Sequence, residues 1–511
     1  MKNFLTYSLL LCFVVLNSCE DYLDKAPSTQ LTESQVFANE QSLETAINGM
    51  YYTYGEYNYH GASVQGLLAP ISGIYYSSQN INSDATGLNC LPNNTWLIRL
   101  WPAMYETINV ANVIIAKLEN SSNSLENRES ALAQAYFIRA ATYFDLVRLF
   151  GGVPLRTSPS TSETIHLAKS SKSDAYDLVI SDFEKAKQML PEIGENIIGK
   201  PSKYAANVYL SKVYMTLAGE DGGDSSLWQN AYDELIPVYG KFSLVSTFAS
   251  LFELGNENTQ ESIFEIQYGH NGASRNFDAI RQFTPVNSTF VPVGQVTYGF
   301  LRPNKETFDN HFYQYPEDPR IDVTFLYNSY IKNGNFRTIY PIRTTTPDGF
   351  PALRKYFDET YNGTTTNRNF IKLRYADVLL MLAEIQNELT GPEDAYQYVN
   401  EVLTRARNTD EGPVLEPADW SGMSKDEFRL RVLKERQYEL LGEGHEWFDT
   451  RRRGFDYLLN EVIIPHNENP TRDPARDFIY PTSEKNMLLP IPSNEISGNQ
   501  EVSQEDQNPG Y

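Results

Sequence analysis

Trp96 is the aromatic residue of this chain most suited by its setting to bind a ligand. It follows Asn93 and Asn94, precedes Arg99, and ends a stretch rich in Gly, Ser, Asn and Tyr that runs from Gly61 with little hydrophobic period. A sugar ring presents an apolar face that stacks on an aromatic plane, while its hydroxyls need Asn, Asp or Arg as partners. Trp96 with Asn94 and Arg99 in a long loop is therefore a candidate for sugar recognition; packing against the core is the competing reading. Trp101 instead opens a helical stripe with Tyr105, Ile108, Ala111 and Ile115 and reads as core.

Catalytic signatures are missing. The chain has no Walker loop, dinucleotide-binding glycine fingerprint, nucleophile elbow or His-Glu-x-x-His. Its six histidines, His60, His166, His270, His311, His445 and His466, lack metal-ligand spacing. Asp221 and Asp224 sit in a glycine-rich segment without the carboxylate spacing of a calcium loop. No cofactor and no metal is called for, and no carboxylate pair stands out for glycoside hydrolysis. The late run holding Glu435, Arg436 and Glu439 has the i,i+3 and i,i+4 spacing of ion pairs that lock a helix to its neighbour, and is read as structural.

The elements that must position any site are helical. Residues 131–155 carry two apolar stripes, Tyr136, Ala140, Tyr143, Val147 and Phe150 beside Ala135, Ile138, Leu146 and Leu149, so a buried helix is expected. Gly151, Gly152 and Pro154 should stop it near Phe150, leaving Arg139, Asp145 and Arg148 on a polar strip with an Asp145–Arg148 pair. Phe183, Ala186 and Pro191 have the offsets of the second helix of a tetratricopeptide repeat. A second unit reads Ala206 and Tyr209, then Ala231, Leu235 and Val238; a third reads Leu379, Leu382 and Ala383, then Ala395, Val399 and Val402, with Gln386 in place of a bulky residue. Helices are also expected over 36–59, 101–118 and 426–441, the first with its tyrosines turned to the core. Thr32 and Gln35 are spaced as a capping box. The fold class is mainly α: a tetratricopeptide-repeat-like helical scaffold with a loop-rich insertion containing short strands, such as Ser262 to Gln267.

The start of the chain is an address. Lys2, an apolar run from Phe4 to Leu16, and Leu16-Asn17-Ser18-Cys19 have the regions of a secretory signal, and a cysteine after Leu-x-Ser resembles a bacterial lipobox in which Cys19 carries lipid. Of three cysteines, Cys12 would leave with the signal and Cys90 would remain without a disulfide partner. Sixty-five Asp and Glu against 42 Lys and Arg, a net charge of −23, argue against a nucleic-acid partner. The chain divides into a signal peptide (1–18), a lipid-anchored tether (19–35), a helical region with two repeat units (36–240), the insertion (241–369), and a helical region with an extended tail (370–511).

Several of these segments together are similar to the SusD/RagB family. They are Cys19-Glu20-Asp21-Tyr22-Leu23-Asp24 after the lipobox, Ala135 to Ala140 running to Phe150-Gly151-Gly152-Val153-Pro154, and Arg374 to Glu384. The block from Glu435-Arg436 to Phe448-Asp449 and the Leu489-Pro490-Ile491-Pro492 tail complete the set. His445 departs from a usually charged position. The resemblance implies a lipoprotein anchored through Cys19 in the outer membrane and facing the cell exterior. Such a protein binds a nutrient, usually a glycan, sits as a lid on a SusC-like TonB-dependent transporter, and is not an enzyme. It carries ligand contact to Trp96 and, in the same region and the insertion, to Tyr75, Tyr298 and Tyr313. A surface glycoside hydrolase or peptidase, a peptide-binding member of the family, and a scaffold that binds only protein stay open as alternatives.

Overall fold

The computed structural model describes residues 37–78, 83–120, 125–194, 198–269, 277–339, 349–363, 366–469 and 478–511. The signal, Cys19, the tether and the Thr32–Gln35 capping box lie outside them. The fold is mainly α.

Helix α1 (Glu40–Gly55) starts at a capping box in which Asn39 accepts from the Ser42 amide at 3.0 Å. The stretch expected to be a loop holds a helix instead, α2 (Ser63–Ile71), followed by strand β1 (Tyr75–Ser77). Every residue of α2 is buried, so its sequence, Ser-Val-Gln-Gly-Leu-Leu-Ala-Pro-Ile, has no polar face from which a period could be read. Helix α3 (Thr95–Glu119) begins six residues before the expected start at Trp101. Asn94 is its N-cap, accepting from the amides of Trp96 and Leu97 at 2.9 and 3.2 Å. Pro102 favours a helix start beside it, but α3 carries it inside.

Helix α4 (Arg128–Phe150) ends at Gly151, whose φ of 72° is the left-handed conformation that glycine adopts without penalty. The expected polar strip is not on the surface. Arg139 is buried in a bidentate pair with Asp182 of α5 (Lys172–Met189) at 2.7 and 2.9 Å. The Asp145–Arg148 pair forms at 2.5 Å and is partly buried, with the guanidinium between the rings of Phe144 and Phe448. A helix enclosed on all sides must pair its charges internally.

Helix α4 packs on α5, and α6 (Lys203–Gly219) packs on α7 (Leu227–Leu235). The rings of Phe137, Phe183 and Tyr209 meet between the two pairs, the last two stacked at 5.0 Å. The insertion adds β2 (Ser262–Ile266), β3 (Leu301–Pro303), α8 (Lys305–Gln314) and β4 (Phe325–Leu326). The hairpin β5 (Ser329–Lys332) and β6 (Asn335–Thr338) and the strand β7 (Ala352–Leu353) follow. Strand β8 (Phe370–Arg374) leads into α9 (Tyr375–Leu389), which packs on α10 (Tyr396–Ala406) and α11 (Lys425–Leu440). The described sheets are antiparallel pairs. β1 aligns Tyr75 with Pro303 of β3, and β2 aligns Ile266 with Phe370 of β8, tying the insertion to both helical regions.

Helix α12 (Glu446–Arg451) is followed by a tail that runs back over the end of α4. The Leu489 amide donates to Leu149 O at 2.7 Å, and Asn508 Nδ2 donates to Phe150 O and Leu489 O at 2.9 and 2.7 Å. The last carbonyls of a helix have no partner within it, and here the tail supplies donors. Asn508→Ala is expected to destabilise the protein by about 1–3 kcal/mol, because two buried acceptors lose their donor. Urea unfolding measures this, and an unchanged midpoint would refute the role given to the tail.

Candidate functional site

The sequence-selected residues separate into two layers. Trp96, in the first turn of α3, is only 5 % exposed, and its ring lies against Gly66 of α2. A Cβ at Gly66 would stand 2.8 Å from that ring. Gly66→Ala should therefore cost about 1–3 kcal/mol by overpacking, read as a lowered thermal midpoint. The ring expected at the end of a loop is thus a helix residue in the core, because α2 covers it. Tyr75 is fully buried on β1, its hydroxyl donating to Glu446 at 2.9 Å. Asn94 is spent on its cap and on Asp84, to which it donates at 2.8 Å. These three are core or cap residues with no exposed face for a ligand.

The outer layer is open to solvent. Arg99 is exposed above the Trp96 ring, with its guanidinium 5.9 Å from the ring centre. Tyr298 is 42 % exposed. Tyr313, 66 % exposed on α8, meets Phe312 edge-on. Tyr298 is placed by a short turn of helix: Asp278 N donates to Gly61 O at 2.7 Å, docking residues 278–283 on the α1–α2 junction. Arg281 O then accepts from the amides of Tyr298 and Gly299 at 2.7 and 3.0 Å. Gly299 allows this close return; a Cβ there would lie 2.7 Å from Thr284 O.

The Arg281 guanidinium sits 4.4 Å from the centre of the Tyr298 ring and donates to its hydroxyl, while Nη1 faces Asp278 at 3.2 Å. Half-buried Tyr57 belongs to the same neighbourhood. Burial, then Asp278, pushes its phenol up, and Arg281 and Arg99 draw it back. Tyr361 feels the same two charges. Burial first, then Arg281 in the opposite sense and Asp278 with it, leaves its hydroxyl pushed up to about 12. That buried hydroxyl has no partner among the described residues. In the group of Tyr57, Arg99, Asp278, Arg281, Tyr298 and Tyr361, the Tyr298 ring and the Arg99 guanidinium are exposed and Tyr57 and Arg281 are half-buried, with Asp278 and Tyr361 buried beneath them. The group has the two parts sugar recognition needs, a face to stack on and groups to bond hydroxyls.

Sequence reasoning missed Tyr57, taken as core, and Asp278, Arg281 and Tyr361, which lie in the insertion. The i,i+3 spacing of Asp278 and Arg281 was the available signal.

Asp278 is pushed up to about 6, first by burial, with Arg281 and Gln282 offsetting part of the rise. Between its ordinary value of 3.8 and about 6, the folded protein keeps a proton that the unfolded chain has released, so its contribution to stability falls as pH rises through that window. Asp278→Asn should flatten this slope and gain about 1–2 kcal/mol relative to wild type above the window. Denaturation curves across pH test this, and parallel curves for the two proteins would contradict it.

Comparison with known proteins agrees with the fold and the resemblance. A family model described as "Starch-binding associating with outer membrane" matches residues 21–215, and one described as "SusD family" matches residues 260–511. A SusD-like protein, P2, of Formosa agariphila is 29 % identical, the alignment covering 100 % of both chains. A crystal structure of a SusD homolog from Bacteroides thetaiotaomicron superposes with a TM-score of 0.78 at 21 % identity, over 95 % of this chain and 100 % of that one. A laminarin-binding SusD-like protein superposes at 0.71 and 21 % identity, over 93 % and 100 %. Its two halves each match a SusD-type model and its whole length aligns with SusD-like relatives, so this chain belongs to the SusD family.

Proposed function

We propose that this protein is a glycan-binding lipoprotein of the outer membrane that holds an oligosaccharide or polysaccharide at the Arg281–Tyr298 group. It then passes the ligand to a SusC-like TonB-dependent transporter. The observation that carries the reading is the exposed Tyr298 ring braced by Arg281, with exposed Arg99 in the same neighbourhood and Asp278 buried behind the guanidinium. Arg99 and Tyr298 are the proposed contacts among the residues chosen from sequence. Trp96, Tyr75 and Asn94 are core or cap residues, and Tyr313 is an outlying candidate on α8. A lipid on Cys19 would anchor the chain, with the site turned to the exterior.

We read the protein as a binder rather than an enzyme. Glycoside hydrolysis ordinarily needs two carboxyl groups flanking the scissile bond, and the group of six has one. The family's description favours starch, and the laminarin-binding neighbour adds laminarin to the candidates. Titrating the lipid-free protein with starch and laminarin oligosaccharides, other glycans and peptides, and assaying the products, tests this. Saturable glycan binding without turnover is expected. Cleavage of the ligand, or binding of peptides alone, would replace the reading with one of its alternatives. Copurification with a TonB-dependent transporter tests delivery.

A further inference from the structure

A second feature is unconnected with the glycan group. Helices α4, α6, α11 and α12 and strand β8 line a partly open cavity of about 40 Å³. Its wall carries five cations, Arg148, Lys212, Lys372, Arg436 and Arg452, but two carboxylates, Glu443 and Asp449. Glu443 is already held by Arg374 at 2.6 Å and Lys355 at 2.8 Å. We propose that this cavity binds one small tetrahedral oxyanion, inorganic sulfate or phosphate, held by Lys372, Lys212 and Arg148.

Donor accounting supports the site. Lys372 has three N–H donors, yet the carboxylate it pairs with, Asp145, is 3.7 Å away, a long contact that leaves donors to spare. Lys212 meets Asp377 at 2.6 Å, one contact for three donors. Arg148 uses Nε on Phe144 O and Nη2 on Asp145, so Nη1 remains available. The Phe144 and Phe448 rings, 3.7 and 3.5 Å from its Cζ, hold that guanidinium in place. Four of the five cations have a close carboxylate, Arg148 with Asp145, Lys212 with Asp377, Arg436 with Asp449 and Arg452 with Glu384, and Lys372 is the one without a carboxylate at hydrogen-bond distance.

Lys372 also shows the crowding. Burial first, and then Arg148 and Lys212 against the pull of Asp145, brings its ammonium down to about 8. A bound anion would relieve that repulsion. Size fits the ligand: a water needs about 10–15 Å³ by the same measure, so the cavity has room for about three waters, or one four-oxygen anion. In a chain of net charge −23, such a wall is not a generic basic surface.

The test is calorimetric titration of the purified chain with sodium sulfate and with sodium phosphate, in chloride buffers of matched ionic strength. Saturable binding of one or both ions is expected, weakened about tenfold or more in Lys372→Met. Lys212→Met provides the same comparison should the first variant fail to fold. No saturable heat with either ion would overturn the proposal. So would equal affinity in the folded variant, which would mark a general salt effect. A monosaccharide sulfate ester separates the sources: Lys372-dependent binding of the ester would overturn the free-ion assignment.

Discussion

Replacing Glu439 with alanine is expected to cost about 3–5 kcal/mol of unfolding free energy, the usual effect of removing one member of a buried ion network. Glu439, fully buried on α11, accepts from Arg374 at 2.6 Å and from Arg320 at 3.0 Å, and pairs closely with Arg405. Glu261 ties the same groups from β2's side, meeting Arg374 at 2.8 Å and Arg405 at 2.9 Å. Burial alone would push the Glu439 carboxyl up; Arg405, Arg374 and Arg320 outweigh it and hold the group far below the ordinary carboxylate range. A depressed value means that this stabilisation is complete above the unfolded carboxyl's range near 4.5 and is lost as the solution is acidified below it. Without Glu439, three guanidinium groups share fewer counter-charges in a dry interior. Lys172→Ala, which removes an exposed pair with Glu220, should change stability by less than about 1 kcal/mol and serves as the control. Guanidinium chloride unfolding of both variants decides the matter. A loss at Glu439 as small as at Lys172 would show that the network contributes no stability.

The second large effect falls on binding. Arg281→Ala with Tyr298→Ala should weaken affinity for the preferred glycan by about thirtyfold or more, from about 2 kcal/mol of lost stacking and charge-assisted bonding. The Tyr298 change should leave folding little altered because that ring is 42 % exposed, whereas the Arg281 change also strips buried Asp278 of its partner and should lower the thermal midpoint without unfolding the protein. Calorimetry with each single variant would apportion the effect. The Arg281–Tyr298 contact makes the two non-additive, so either single change is expected to lose most of the total.

Legibility in the sequence followed what each residue's neighbours are. Helix α4 could be read with its stop because the apolar stripes and Gly151 are local features. The repeat pairs were readable because the small and aromatic positions of Phe183, Ala186 and Tyr209 recur at fixed offsets. Helix α2 was not, since a segment buried on every side shows no period. The charged interior was half legible. The spacing of Glu435 and Glu439 announced ion pairs, but their partners Arg320, Arg374 and Arg405 come from distant segments that only the fold brings together. The same holds for the candidate site. Trp96 and Arg99 are consecutive turns of one helix, whereas Asp278, Arg281 and Tyr298 reach them through backbone bonds to Gly61 and Arg281 that no local pattern reveals. Trp96 drew attention as a ring in a polar stretch, and the helix opposite it turned that ring inward.

In the proposed function a glycan stacks at Tyr298, whose ring Arg281 braces. Parallel calorimetric titrations of wild type and Tyr298→Ala, with the glycan that binds best, test it most directly. Saturable binding by wild type is expected, with a loss of about tenfold or more in a variant that unfolds at the wild-type temperature. Equal affinity in the two proteins would contradict it and move the site elsewhere.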